Sequence, residues 1–220
     1  MTERDEQLWS SAAAGYDRMV DAQLGSARTL IRARLSQEGA LGRVVEFGCG
    51  TGFFSEVLAS RAEELVATDL APGMIEQARR ALRSVENVRV QIEDCTRTSF
   101  AEGTFDAAFM SLVLHFVDAP TALREMRRVL RPGGALIIAN LDFSALSAPA
   151  KVAFVARRIA RRLFTRDVTP PVDRRRLLSE ARLREHLERE GFEIARCETI
   201  RDDSRRSCPI DYVKAIRPDA

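Results

Sequence analysis

Histidine and cysteine are scarce in this chain, and their placement excludes whole classes of chemistry. His115 and His186 are the only histidines, too few for a His-rich metal site. Cys49, Cys95, Cys197 and Cys208 lie far apart, with no CxxC pair and no histidine at metal spacing. Neither a zinc knuckle nor a disulfide framework is expected from them, and they read as reduced thiols of a cytoplasmic protein. Lysine is nearly missing: Lys151 and Lys214 stand alone beside the arginines. The net charge is only +2, so the molecule as a whole is not a polyanion binder. No apolar run approaches the roughly 18 residues of a membrane span. The opening residues Met1 to Glu6 are polar with no apolar stretch behind them, so no secretory signal is expected. Internal repeats and low-complexity linkers are absent as well.

What is present is a pattern of strands and helices. With 220 residues, 45% hydrophobic and 30% charged, the chain has room for one domain with a full core plus appendages. Residues 5–37 carry a broken apolar face through Leu8, Trp9, Ala12, Tyr16, Met19 and Val20, then Leu24, Leu30, Ile31 and Leu35. Gly15 and Gly25 interrupt it, which predicts two or three short helices. Apolar runs at 43–47, 65–68, 88–92, 105–110 and 135–139 predict five strands, with helices between them such as the one opened by Ala71-Pro72-Gly73. Alternation of this kind, with continuous apolar runs, implies a parallel sheet covered on both faces. The pattern breaks at about 142. A helix is expected over 149–165, another over 180–190 with Gly191 as its C′ residue, and strands over 192–197 and 211–216. Only a loop joins those last two, so they should pair antiparallel.

The stretch from Val44 to Ser55 organises the chain. Two β-branched residues lead into Glu46, and glycines then alternate at 48, 50 and 52, which describes a strand, a tight turn and a helix start. Without Cβ atoms there, a ligand can lie against bare backbone, facing amides that favour its negative groups. In an open parallel sheet ligands bind beyond the carboxyl ends of the strands. Strand two ends at Asp69, seventeen residues past Gly52, and strand three ends at Asp94-Cys95. Acids at such places often cap the following helix. A carboxylate at 69 can also accept from both hydroxyls of a ribose, and one at 94 from the exocyclic amine of a base. A dinucleotide fingerprint would put its third glycine at 53, which is Phe53. Glu46 just before the loop would repel a pyrophosphate and welcome an amine. The implied ligand has a ribose, an amine-bearing base and an ammonium group, and no phosphates.

Those are the parts of S-adenosylmethionine, and here the chain resembles a class I SAM-dependent methyltransferase of the small-molecule type. Residues 44–52 match the first motif of that family. The stretch from Ala67 to Ile75 resembles the second, Glu93-Asp94-Cys95 the adenine-side element, and 105–109 with 128–134 the fourth strand and the turn before strand five. The match is close over 40–140. It implies an α/β fold: a Rossmann-like, doubly wound, seven-stranded and mostly parallel sheet with an antiparallel last strand, an N-terminal helical lid and a helical insertion after strand five. One domain over 1–220 is expected, divided into a lid (1–39), a SAM-binding core (40–141), a lid or substrate insertion (142–178) and a C-terminal helix with strands (179–220). The resemblance also implies site residues. Glu46 and the backbone at Gly48, Cys49, Gly50 and Gly52 would hold the methionine moiety. Asp69 would take the ribose, Leu70 and Met74 would pack near the adenine, Asp94 would meet its amine and Cys95 would offer a backbone amide. Ser111 would approach the methionine end. Trp9 and Tyr16 resemble the lid of small-molecule members, and core packing is the other reading of both.

Methyl transfer from a sulfonium is an in-line displacement in which the cofactor carries the reactivity. His115 is the one candidate base, with a packing role as its alternative. Leu112, Val113 and Leu114 beside it, where metal-assisted quinone-pathway relatives carry acids, argue against a metal. No Asn-Pro-Pro-Tyr tetrad follows strand four, as it would in enzymes that methylate nucleic-acid amines. In 149–165, Val152, Val155, Ile159 and Leu163 fall opposite Arg157, Arg158, Arg161 and Arg162. That face reads as solvated surface, as a contact for an anionic membrane surface, or as one for an acidic acceptor. Few aromatics interleave with these arginines, which disfavours nucleic acid. The expected function is methylation of a small or lipophilic metabolite. The alternatives are an RNA or protein methyltransferase docking through the arginine-rich insertion, and a SAM-binding regulatory protein without turnover. Oligomeric state is not legible.

Overall fold

The computed structural model describes residues 3–24, 26–153, 155–156, 176–201 and 208–219. Its centre is one seven-stranded sheet in the order β3-β2-β1-β4-β5-β7-β6. The strands are β1 (Gly42–Phe47), β2 (Ala62–Asp69), β3 (Val88–Ile92), β4 (Phe105–Ser111), β5 (Leu130–Leu141), β6 (Glu193–Ile200) and β7 (Ile210–Ile216). The first five run parallel, while β7 lies antiparallel to both β5 and β6. This is the doubly wound α/β arrangement that the alternation implied. The chain leaves β1 toward β2 and β3 on one side, then returns to place β4 and β5 on the other. The crevice opened by that reversal lies beyond the carboxyl ends of β1 and β4, where such sheets bind ligands.

Adjacent residues of the central strands feed opposite faces. Val45, Phe47 and Met110 pack with Leu123 and Met126 of α6 (Ala119–Val129) and Leu183 and Leu187 of α7 (Glu180–Arg189). Val44, Leu65 and Phe109 pack with Ile31 and Leu35 of α3 (Ala27–Leu35) and Leu58 of α4 (Ser55–Ala59). Burial on both faces is why these strands show unbroken apolar runs rather than alternation. Helix α6 is capped by Asp118, whose side chain accepts from Thr121 N at 3.1 Å. Helix α5 (Pro72–Ala81) begins with Pro72 in its first turn, where no amide partner is lost.

Strand β5 begins at Leu130, earlier than the apolar run at 135. The Arg131-Pro132-Gly133-Gly134 turn stays attached to the sheet because Gly133 N donates to Arg217 O and Arg217 N donates to Gly134 O, both at 2.8 Å. The N-terminal region forms α1 (Glu3–Ala12), a 3-10 turn (Ala13–Gly15), α2 (Tyr16–Leu24) and then α3. After β5 the chain is helical at 148–153 and 155–156. Val152 on that stretch is exposed. Ile159, Leu163 and the four arginines at 157, 158, 161 and 162 lie outside the described residues. No helix among the described residues is long and apolar enough to cross a membrane.

Candidate functional site

The glycine loop leaves β1 at Phe47 and folds back at once. Gly48 and Gly52 have φ of +69° and +88°, a region costly for any residue with a Cβ. Space forbids a side chain as well: a Cβ at 48 would run into Val113 and one at 52 into Leu82. The loop is tied to β2 by Cys49 N donating to Thr68 O at 2.8 Å. It is tied again by Asp69, whose Oδ2 accepts from Gly50 N at 3.0 Å while Oδ1 accepts from Ala71 N at 2.9 Å. One carboxylate thus fixes the turns after β1 and β2 together. Burial pushes the Asp69 carboxyl above its ordinary range, and the amides of Ala71 and Gly50 pull against that shift.

A cleft opens beside this carboxylate, with about 600 Å³ of empty space when its solvent-open part is included. Its floor is Gly48, Gly50 and Asp69, and its far wall is Leu70, Met74, Glu93 and Cys95. Ser111, Leu112, Val113 and Phe116 close the β4 side, and Trp9 and Tyr16 cover it from the lid. Trp9 meets the Tyr16 ring edge-on at 5.9 Å and the Phe116 ring at 4.9 Å, so the lid touches both sides of the cleft. Ser10 of the lid accepts from Gly73 N at the start of α5, at 3.2 Å. Burial pushes the Tyr16 phenol up to about 12, with the Asp69 charge adding to it.

Of the residues expected at the site, the structure brings Tyr16, Gly48, Gly50, Asp69, Leu70, Met74, Cys95 and Ser111 to this cleft. Five others lie off its lining. Cys49 and Gly52 belong to the loop but face its neighbours. Glu46 is 1% exposed and accepts from Ser55 Oγ at 2.6 Å. Burial pushes its carboxyl up to about 7, against the Ser55 hydrogen bond and with the charge of Asp69. Asp94 turns its Oδ1 to Thr96, accepting from the amide at 2.9 Å and the hydroxyl at 2.7 Å. Its neighbour Glu93 is the acid on the lining, and it also takes Ser99 N at 3.0 Å. His115 is buried with its ring 4.0 Å from that of Phe116.

Sequence reasoning passed over Glu93, Leu112, Val113 and Phe116 as lining residues. Leu112 has φ of +61°, the one positive value at a non-glycine residue among those described, and its N donates to Ala139 O at 2.9 Å. A strained backbone held by the sheet at a cleft wall is typical of functional sites, yet nothing in a leucine announces it. Among the described residues no group of three His, Cys, Asp or Glu side chains is placed to hold a metal.

The cleft fits a nucleoside joined to an amino acid. Ser111 is 8% exposed and its Oγ is buried with no hydrogen-bond partner among the described residues. A buried hydroxyl of this kind calls for a ligand or a water. Each Asp69 oxygen takes one backbone amide and keeps a lone pair for a ligand hydroxyl. Leu70 and Met74 are the apolar members of the far wall.

Comparison with known proteins bears on the family and the fold. Residues 45–138 match the family model described as a methyltransferase domain. Over 139 residues the chain is 33% identical to malonyl-[acyl-carrier protein] O-methyltransferase of Serratia marcescens, covering 63% of this chain and 52% of that protein. Over 139 residues it is 37% identical to demethylmenaquinone methyltransferase of Beutenbergia cavernae, covering 61% and 57%. The chain thus spans about half the length of these relatives. Among solved structures it resembles the N-methyltransferase NodS of Bradyrhizobium japonicum in complex with S-adenosyl-L-homocysteine, at a TM-score of 0.72 and 20% identity, covering 99% of this chain and 100% of that one. A putative methyltransferase bound to the Trm112 activator of Haloferax volcanii matches at 0.73 and 16%, covering 96% and 98%. At these identities the structural likeness is one of fold.

Proposed function

We propose that this chain, which carries a methyltransferase domain over residues 45–138 on a class I methyltransferase fold, binds S-adenosylmethionine and methylates a small or lipophilic metabolite. The observation that carries this reading is the Asp69 carboxylate pinning Gly50, set in one cleft with the partnerless Ser111 hydroxyl. Bound S-adenosylmethionine supplies a methyl group activated by a sulfonium. The chain supplies position and dryness. Asp69 accepts from the ribose hydroxyls, Leu70 and Met74 flank the base, and the turn carrying Glu93, Asp94 and Cys95 meets its polar edge. Ser111 and the loop amides hold the amino-acid end. Trp9, Tyr16 and Phe116 close over the reacting atoms and keep water out. Leu112, Val113 and Phe116 make the β4 side of the cleft apolar, which supports a lipophilic acceptor such as the demethylmenaquinone in one relative's name. His115 lies off the lining, so this reading gives it no part in the transfer.

Calorimetry with S-adenosylmethionine and S-adenosylhomocysteine tests this directly. Micromolar affinity is expected, and no binding at high-micromolar ligand would sink the reading. A pH series tests Glu46 separately. Its carboxyl sits at about 7 because of burial, so below that pH a ligand ammonium must displace a proton to gain an anionic partner. Affinity should therefore rise from about pH 6 to about pH 8, with proton release on binding. A flat profile would remove Glu46 from the ammonium site.

A further inference from the structure

We infer that Asp17 is a positioning residue that latches the lid to the glycine loop. Thr51, between Gly50 and Gly52, turns its hydroxyl outward and donates to both oxygens of Asp17, at 2.9 and 3.1 Å. Asp17 follows Tyr16 in α2, so this link fixes the helix turn that holds Tyr16 over Gly50. A Cβ at position 50 would already stand 3.5 Å from the Tyr16 ring. Asp17 Oδ1, which takes the Thr51 hydroxyl at 2.9 Å, also accepts from Arg28 Nη1 at 2.7 Å.

Arg28 is what makes this more than a surface contact. Its side chain is 4% exposed, and a buried guanidinium demands compensation. Asp17 and Asp21 supply the charge, the latter 3.0 Å from Nε. The guanidinium carbon also stacks 3.8 Å above the Phe53 ring. Arg32 reinforces the same junction by donating to Phe53 O at 3.1 Å and pairing with Glu56 at 2.6 Å. The chain Phe53–Arg28–Asp17–Thr51 therefore begins and ends on the cofactor loop and passes through the lid. Opening of this link frees the lid over a ligand beneath Tyr16 and Trp9 and speeds its exchange, and Asp17 is the member shared by its two halves. The effect on ligand exchange rests on the cofactor reading above; the latch itself does not.

The chain has a single tryptophan, and Trp9 lines the cleft from the lid itself, so it reports latch opening without any ligand. The test compares the parent with Thr51→Val, Asp17→Asn and the double variant, by acrylamide quenching of Trp9 in the free protein. Dissociation of S-adenosylhomocysteine is measured alongside. Quenching should rise in each single variant, and the double should exceed the larger single by little, because one interaction is lost twice. Dissociation should quicken by about tenfold or more, the worth of a hydrogen bond to a charged group. Thermal midpoints should move little with Thr51→Val, which separates latching from a general loosening. Unchanged quenching in both single variants, or fully additive effects, would overturn the latch. If S-adenosylhomocysteine fails to bind the parent, the cofactor reading falls while quenching still decides this one.

Discussion

Asp69→Ala is expected to weaken S-adenosylhomocysteine binding by about 100-fold or more while the protein stays folded. Two backbone amides end on this carboxylate, Gly50 N at 3.0 Å and Ala71 N at 2.9 Å. Each hydrogen bond to a charged group is worth roughly 1.5–3 kcal/mol. Part of that loss falls on the free protein, because the glycine loop loses its link to β2 through Gly50. The rest falls on the ligand, because in the proposed site the ribose hydroxyls lose their acceptor. Asp69→Asn should lie between, since its one amide oxygen replaces two acceptors. His115→Ala, off the cleft lining, should change affinity by less than about threefold. Calorimetry on the three variants, each checked for a parental circular dichroism spectrum, gives the comparison. Equal losses at 69 and 115 would reverse the assignment of roles.

The contrast between these two residues shows where a sequence is legible. The Asp69 reading needed only local facts: a strand ends there, and a glycine loop lies one strand away. The antiparallel pairing of β6 with β7 and the two-faced core follow from local signals of the same kind, namely buried runs punctuated by Gly, Pro and Asp, whereas the strand order does not. Side-chain direction within a turn is another matter. Glu93 and Asp94 are adjacent carboxylates at one strand end, and only the turn through Thr96 and Ser99 decides which faces the cleft. Leu112, Val113 and Phe116 form a cleft wall because the backbone reverses at Leu112 with a positive φ. No leucine advertises that. The Arg131–Gly134 segment has turn composition, yet it stays in the sheet through hydrogen bonds with Arg217, far along the chain. The least legible contacts are those between distant elements, and the clearest of them surrounds Glu38.

Glu38→Gln is expected to destabilise the fold by about 3 kcal/mol, near the lower end of what breaking a buried ion pair costs. Glu38 is 4% exposed in the turn three residues past α3. It accepts from Lys214 Nζ at 2.8 Å, from Tyr212 Oη at 3.2 Å and from Arg196, and Arg34 Nη1 lies 3.2 Å away. The carboxylate thus joins α3 to β6 and β7. Removing its charge leaves cations converging on a buried point. Glu198 softens the loss, because it pairs with Arg34 at 2.9 Å and Arg196 at 3.0 Å. Burial alone would raise the Glu38 carboxyl, but the hydrogen bond and charge of Lys214 and the charge of Arg196 outweigh it and hold the group below its usual range. A folded pKa below the unfolded one contributes stability that is complete above the unfolded value and is lost as pH falls through the folded one. Urea unfolding should therefore show a constant gap between parent and variant from about pH 8 to about pH 6, closing below about pH 4.5. Lys214→Met in the variant should recover part of the loss, because it removes one of the stranded charges. A gap under about 1 kcal/mol, or one that persists unchanged into acid, would mean that Arg34, Arg196 and Lys214 are satisfied without Glu38.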